Sequence, residues 1–104
     1  MGMILFIDTT DFNKVAFAVV DGKKAAQTKY KIDSHESHKT LAKLGEFLRQ
    51  SKIKNPESKI TKVIVNKGPG SYTGVRVGVT MAQALGLAWG VPVKAVAKDR
   101  FLVR

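Results

Sequence analysis

Two continuous apolar runs near the start of the chain constrain its fold more than any other feature. The segments Met3 to Ile7 and Val15 to Val20 lack the polar alternation of a strand that faces water on one side. Strands that are covered on both faces have this composition. We therefore predict two central strands of a sheet in a single domain, since 104 residues allow one modest core.

Three further strands follow from turn signals and β-branched residues. Asp21-Gly22 predicts a tight hairpin into a third strand, Ala26 to Ile32, whose lysines suit a sheet edge. Ile60 to Val65 predicts the fourth strand and Val91 to Val96 the fifth.

Two helices are predicted between these strands. The first is indicated by apolar residues at i, i+3 and i+7, namely Leu41, Leu44 and Leu48. We expect Ser34 or Ser37 as its N-cap, and the helix must end by Asn55-Pro56. The second helix follows the turn GPGSYTG and runs from about Ser71 to Trp89, closed by Gly90.

The order βββαβαβ with right-handed crossovers predicts an α/β fold of the ribonuclease-H-like type. The mixed five-stranded sheet has the order 3-2-1-4-5, with both helices on one face. The first, second and fourth strands are apolar on both sides, yet the final segment, AKDRFLVR, forms at most a short helix over the other face. We therefore expect a partner to cover part of the molecule.

The second helix supports the same expectation. Small residues recur at every fourth position, at Gly70, Gly74, Gly78, Ala82 and Gly86. Apolar or small residues occupy roughly 220° of the helix circumference, more than one sheet contact buries. A glycine inside a helix costs about 1 kcal/mol relative to alanine, so close packing must compensate. The stripe either fits the helix onto its own sheet or forms an interface with a partner, and we favour the interface.

Motifs for catalysis or metal binding are incomplete. The turn from Gly68 to Gly74 lies at a helix N-terminus but lacks the Walker and GxGxxG patterns, so a structural turn is favoured over a phosphate site. Two-metal nuclease chemistry needs several converging acids, whereas the sequence offers Asp8 and Glu46.

His35 and His38 form HESH without a third ligand, and Cys is absent, so we predict no metal site. Ser71 and Thr73 have no evident base to activate them.

The charge leaves other functions open. A formal net charge of +10, from 18 Lys and Arg against 8 Asp and Glu, favours a polyanionic partner. Fourteen of these cations are lysines spread from Lys14 to Lys98 without an arginine cluster, which is also typical of a solvated surface. Two alternatives therefore remain. One is a stand-alone basic RNA-binding module; the other is an ATP-binding phosphotransferase-like protein that uses Asp8 and the glycine turn.

Specific segments resemble a known family. ILFIDTT, the amphipathic helix led by His38, and KGPGSYTGVRVGVTMAQALGLAWGVPV resemble the N-terminal domain of TsaB (YeaZ), over Met3 to about Val96. TsaB is the accessory subunit of the bacterial tRNA threonylcarbamoyladenosine machinery, and its domains have the ASKHA version of the predicted fold. The resemblance implies a scaffold without turnover of its own, which binds the catalytic TsaD subunit together with the ATPase TsaE when adenosine 37 of tRNA is modified.

The resemblance also implies where partners bind. In the family the two helices contact TsaD or a second copy, so we expect a homodimer when the chain is alone and contact with tRNA only through the complex. The interface carried over to this chain comprises His38, Phe47, Gly70, Tyr72, Thr73, Gly74, Arg76, Val77, Gly78, Met81 and Ala82. Asp8, Thr9 and Thr10 would be a vestigial phosphate-facing group.

The chain departs from the family in its length. Family members continue into a second domain, whereas residues 1–104 correspond to one TsaB-like N-terminal domain, so we expect no nucleotide cleft and no cofactor. The start MGMILFIDTT has no basic leader and the apolar runs are too short to span a bilayer, from which we expect a cytoplasmic protein without membrane contact.

Overall fold

The computed structural model describes residues 2–22 and 24–101. The strands are β1 (Met3–Asp8), β2 (Lys14–Asp21), β3 (Lys24–Lys31), β4 (Ile60–Asn66) and β5 (Val93–Val96). The α-helices are α1 (Thr40–Gln50), the single turn α2 (Pro56–Lys59) and α3 (Tyr72–Trp89), with 3₁₀ turns at Ser34–Lys39 and Lys98–Arg100.

The five strands form one mixed sheet in the order β3-β2-β1-β4-β5, which confirms the predicted topology. β1 pairs antiparallel with β2 and parallel with β4, while β5 pairs parallel with β4 at the edge. The hairpin between β2 and β3 turns at Gly22, whose φ of 61° is one that glycine adopts without strain. Asp21 is then opposite Lys24, so the register of the whole hairpin is set at this turn.

The main core lies between the sheet and helices α1 and α3. From the strands it receives residues such as Leu5, Ile7, Phe17, Val63 and Val65, all at most 1% exposed. From the helices it receives Leu44, Phe47, Leu48, Met81 and Ala82. The rings of Phe17 and Phe47 stack with centroids 6.0 Å apart, which joins β2 to α1. Both long helices therefore lie on one face, as predicted.

The opposite face of the sheet, called here the outer face, has a smaller apolar cluster. Phe6 and Ala18 are buried there under Phe101, which follows the 3₁₀ turn Lys98–Arg100. Four more apolar side chains stay only partly buried, namely Ile4, Val20, Ile64 and Val96. The expected short helical turn over this face is present in the described part of AKDRFLVR, whereas residues 102–104 lie outside the described residues. The prediction that β4 is apolar on both sides is wrong, because Lys62 and Asn66 share its outer side with Ile64.

Element ends differ from the predictions where local chemistry competes with periodicity. The chain enters a 3₁₀ turn at Ser34–Lys39, so α1 begins only at Thr40 with Lys39 as its N-cap, and the expected serine cap is wrong. β5 begins at Val93 rather than Val91, since Pro92 has no N–H to donate to a ladder, although its carbonyl accepts from Val63 N at 3.0 Å. Among the described residues, no helix combines the length and apolarity needed to cross a bilayer.

Candidate protein interface

The glycine stripe, from Gly70 just before α3 to Gly86 within it, faces the residues that follow β1 and, at its far end, β5. A Cβ atom at Gly74 would collide with the carbonyl oxygen of Thr9, and one at Gly78 with the Thr9 hydroxyl oxygen. A Cβ at Gly70 would meet the carbonyl of Thr10, and one at Gly86 the side chain of Val93. The stripe is thus occupied by the chain itself, and the preference for a partner at these glycines is wrong.

The turn that precedes α3 is closed by internal hydrogen bonds. Ser71 caps the helix, since its hydroxyl oxygen accepts from Gly74 N at 3.1 Å, and its own N–H donates to the carbonyl of Thr10 at 2.7 Å. The amide of Gly68 donates to Oδ1 of the buried Asn66 at 2.9 Å. These three amides are among those a phosphate would need, so the geometry is that of a structural turn.

The outward side of α3 and the start of α1 form a shallow groove, called here the α1/α3 groove. Its volume is about 750 Å³. The lining residues are Ser37, His38, Thr40, Leu41, Tyr72, Thr73, Arg76, Val77, Thr80, Met81, Ala84, Leu85 and Ala88. Tyr72 is 74% exposed and Leu41 57% exposed, so both side chains are open to solvent at the groove. An open apolar groove of this kind is typical of a protein-binding surface.

The structure divides the eleven predicted interface residues into two groups. The groove contains His38, Tyr72, Thr73, Arg76, Val77 and Met81. The prediction is corrected for Phe47, Gly78 and Ala82, which are buried in the chain's own core, and for Gly70 and Gly74, whose Cβ positions face Thr10 and Thr9.

Several groove residues were missed by the sequence analysis. Leu41, Thr80, Ala84, Leu85 and Ala88 line the groove but were not assigned to an interface. Those on α3 could have been predicted from the helical period, because positions 77, 80, 81, 84, 85 and 88 follow the spacing of one helix face. Leu41 entered the sequence analysis only as part of the apolar series that indicates α1, together with Leu44 and Leu48.

Arg76 is held at the groove by Tyr72. Its guanidinium donates to the Tyr72 hydroxyl at 3.0 Å, and its central carbon lies 5.4 Å from the ring centroid. The two side chains are one turn apart on α3, a spacing that allows such a pair. The exposed ring and cation therefore form one orientated unit at the groove edge.

Asp8, Thr9 and Thr10 do not form a phosphate-facing group. Thr9 is 2% exposed and its hydroxyl donates to the carbonyl of Gly74. Thr10 is 3% exposed, and its amide and hydroxyl donate to Asp8 Oδ1 at 2.9 and 2.7 Å. Only Asp8 borders an adjacent cavity of about 660 Å³, together with Asp11 and Asn66. The two threonines instead attach the end of β1 to α3 and to its preceding turn.

Metal-binding groups do not converge in the part of the chain that the structure describes. No three His, Asp or Glu side chains among those residues lie close enough to hold an ion. His38 is exposed at the groove, whereas the His35 side chain lies outside what is described. The Ser71 hydroxyl serves as the helix cap.

Comparisons with known proteins agree with this architecture. The family model described as "TsaD: tRNA N6-adenosine threonylcarbamoyltransferase" matches residues 31–99. The tRNA threonylcarbamoyladenosine biosynthesis protein TsaB of Bacillus subtilis (strain 168) is 53% identical over 38 residues, which are 36% of this chain and 17% of that protein.

Solved structures extend the likeness to almost the whole chain. YeaZ from Pseudomonas aeruginosa has a TM-score of 0.80 at 25% identity, covering 93% of this chain and 44% of that one. A second structure, an uncharacterized Pseudomonas aeruginosa protein with similarity to peptidase YeaZ, has a TM-score of 0.81 with the same identity and coverage. RuvC of T. thermophilus, solved with a Holliday junction substrate, shares the fold alone, at 16% identity, a TM-score of 0.62, and coverage of 95% and 66%. The chain thus spans less than half the length of its YeaZ relatives. It belongs to the family that the TsaD model describes and, by its matches to TsaB and YeaZ, to the TsaB (YeaZ) family.

Proposed function

We propose that the chain acts in tRNA threonylcarbamoyladenosine biosynthesis as a non-catalytic scaffold whose α1/α3 groove binds a TsaD-like catalytic subunit. The observation that carries the proposal is the open groove of about 750 Å³ with exposed Leu41 and Tyr72 at its edge. Burying such side chains against a partner removes apolar surface from water, at roughly 25 cal/mol per Å².

The likeness to TsaD itself supports this choice of partner. A TsaD family model matches residues 31–99, a range that includes both helices of the groove. A TsaD-like partner therefore has comparable helices, and the two proteins can associate about a pseudo-twofold axis with similar surfaces in contact. The same reasoning applies to a second copy of this chain.

A role without turnover fits the chemistry beside the 660 Å³ cavity. The Asp8 carboxylate accepts two hydrogen bonds from Thr10, and the hydroxyls of Thr9 and Thr10 are used inside the chain. In this proposal the TsaD-like subunit performs the transfer, a TsaE-like ATPase joins the complex, and tRNA is contacted through the assembly. The complex works in the cytoplasm, where tRNA is modified.

Leu41→Glu is expected to weaken retention of the cognate TsaD protein by about tenfold or more, because a carboxylate would be buried unpaired in an apolar contact. Leu41 is 57% exposed, so the fold tolerates the change. The measurement is the dissociation constant by calorimetry or a quantitative pull-down. Ala25→Glu is the matched control, since Ala25 is exposed on β3 and lies outside the groove. Equal retention by both variants would contradict a TsaD contact at the groove.

The isolated chain is expected to form a homodimer through the same groove. An unpaired groove leaves Tyr72 and Leu41 in water, and a second copy covers both on each side of a twofold axis. Sedimentation velocity over a range of concentrations should show a dimer that Leu41→Glu converts to monomer. A monomer at every concentration would refute self-association.

A further inference from the structure

The α1/α3 groove contains cationic groups but no carboxylate. The ionisable side chains among its lining residues are His38, Tyr72 and Arg76. All eight acidic residues of the chain lie in the part that the structure describes, and none of them lines the groove. Glu36, which lies close to His38 in the sequence, pairs with Lys39 at 2.6 Å. Within the described residues, Arg76 therefore has no carboxylate partner.

The contacts of Arg76 leave most of its hydrogen-bonding capacity for another molecule. Nη1 donates to the Tyr72 hydroxyl at 3.0 Å, and the Tyr72 ring centroid lies 5.4 Å from the central carbon of the guanidinium. A guanidinium has five N–H donors in a planar fork that matches the two oxygens of a carboxylate. Because Tyr72 already restrains the side chain, less conformational entropy is lost when a carboxylate binds.

A second copy of this chain does not supply that carboxylate. In a twofold contact the same surface lies on both sides, so each groove would bring Arg76 and His38 and no acidic lining residue. Each copy also has a formal net charge of +10. A cation that is buried in a contact without a counter-charge weakens the contact, since its lost hydration is not replaced. A related chain of different sequence can place an acidic residue at the same position.

We propose that the TsaD-like subunit places an Asp or Glu carboxylate against Arg76, and that this ion pair selects the subunit over a second copy of this chain. Tyr72 is the positioning residue for the guanidinium. Apolar contacts at Leu41 and Met81 are available to either partner, whereas the ion pair forms with one of them. The inference rests on the proposed function, because it takes the α1/α3 groove as the surface that binds TsaD.

Arg76→Glu tests the charge. Calorimetry with the cognate TsaD protein should show binding about tenfold or more weaker, because two carboxylates would then oppose each other. Arg76→Lys keeps the charge but loses the planar fork, and should bind several-fold more weakly. Lys59→Glu is the matched control, since it makes the same change of charge at an exposed position outside the groove. Its effect should stay below about threefold.

Sedimentation of the chain alone tests the selection between partners. Arg76→Glu should not weaken the homodimer, because in a twofold contact both copies change sign together. Leu41→Glu should weaken both the homodimer and the TsaD complex, since the apolar contact is common to them.

A double-mutant cycle tests the role of Tyr72. Tyr72→Phe keeps the ring and removes the hydroxyl that accepts from Arg76. It should weaken TsaD binding several-fold in the wild-type chain and by less than about 1.5-fold in the Arg76→Gln background, because the hydroxyl acts through the guanidinium.

Three results would overturn the inference. They are equal TsaD binding by Arg76→Glu and Lys59→Glu, equal weakening of the homodimer and the TsaD complex by Arg76→Glu, and an undiminished Tyr72→Phe effect in the Arg76→Gln background. Leu41→Glu separates these failures from failure of the proposed function. If Leu41→Glu weakens TsaD binding and Arg76→Glu does not, the ion pair is refuted and the groove remains the contact. If neither does, both proposals are refuted.

Discussion

Replacing Gly74 with alanine is expected to lower the free energy of unfolding by about 2 to 3 kcal/mol. The added methyl group would collide with the backbone carbonyl oxygen of Thr9, which cannot turn away as a flexible side chain can. Either α3 must move away from Thr9 or the Thr9 backbone must shift, and both disturb the hydrogen bonds that Gly74 makes with Thr9 and Ser71. Urea unfolding followed by circular dichroism measures the loss.

Gly45→Ala is the matched control for this substitution. Gly45 lies exposed in the interior of α1, and a Cβ there would meet nothing within 4 Å. Helix propensity alone then applies, and a gain of about 0.5 to 1 kcal/mol is expected. If Gly74→Ala instead unfolded at the same urea concentration as Gly45→Ala, α3 would not approach β1 closely, and the glycines would again be candidates for partner contact.

Phe47→Ala is expected to cost about 4 kcal/mol, because it removes a ring that is 2% exposed and stacked on Phe17. Leu41→Ala, on the same helix, removes a side chain that is 57% exposed and should cost less than about 1 kcal/mol. Thermal and urea unfolding of both variants measure the two losses of unfolding free energy. The comparison shows which of the two side chains belongs to the core. Comparable losses would show that Leu41 belongs to the core after all, which would remove the main apolar anchor of the α1/α3 groove.

The strand order was predictable because the apolar runs and turns are local signals. Asp21-Gly22 set the hairpin, and the runs at β1 and β2 identified the central strands. Right-handed crossovers then placed both helices on one side. The start of α1 was harder to predict from the sequence. The 3₁₀ turn at Ser34–Lys39 satisfies backbone groups that a serine cap was expected to satisfy.

The role of the glycine stripe was misjudged for a physical reason. A four-residue spacing shows which positions share a line along a helix, but not which neighbour lies against that line. The neighbours are Thr9 and Thr10, which look polar in the sequence yet are buried where β1 ends, and Val93 of β5 beside Gly86. The apolar residues between the glycines were therefore the ones left to line the groove, as Val77, Met81 and Leu85 do.

The threonines after β1 illustrate the same limit. Asp8-Thr9-Thr10 has the composition of a phosphate site, yet the hydroxyls find internal acceptors in Gly74 and Asp8. Composition alone does not distinguish a hydroxyl that binds a ligand from one that makes a hydrogen bond inside the chain, since buried polar groups need a partner in both cases.

Side chains alternate along β1, and this makes the strand a shared wall between two surfaces. Leu5 and Ile7 support the helical layer, whereas Phe6 supports the opposite layer beneath Phe101. A change of side-chain volume at Leu5 or Ile7 would therefore be transmitted to the helices, and one at Phe6 to the residues around Phe101.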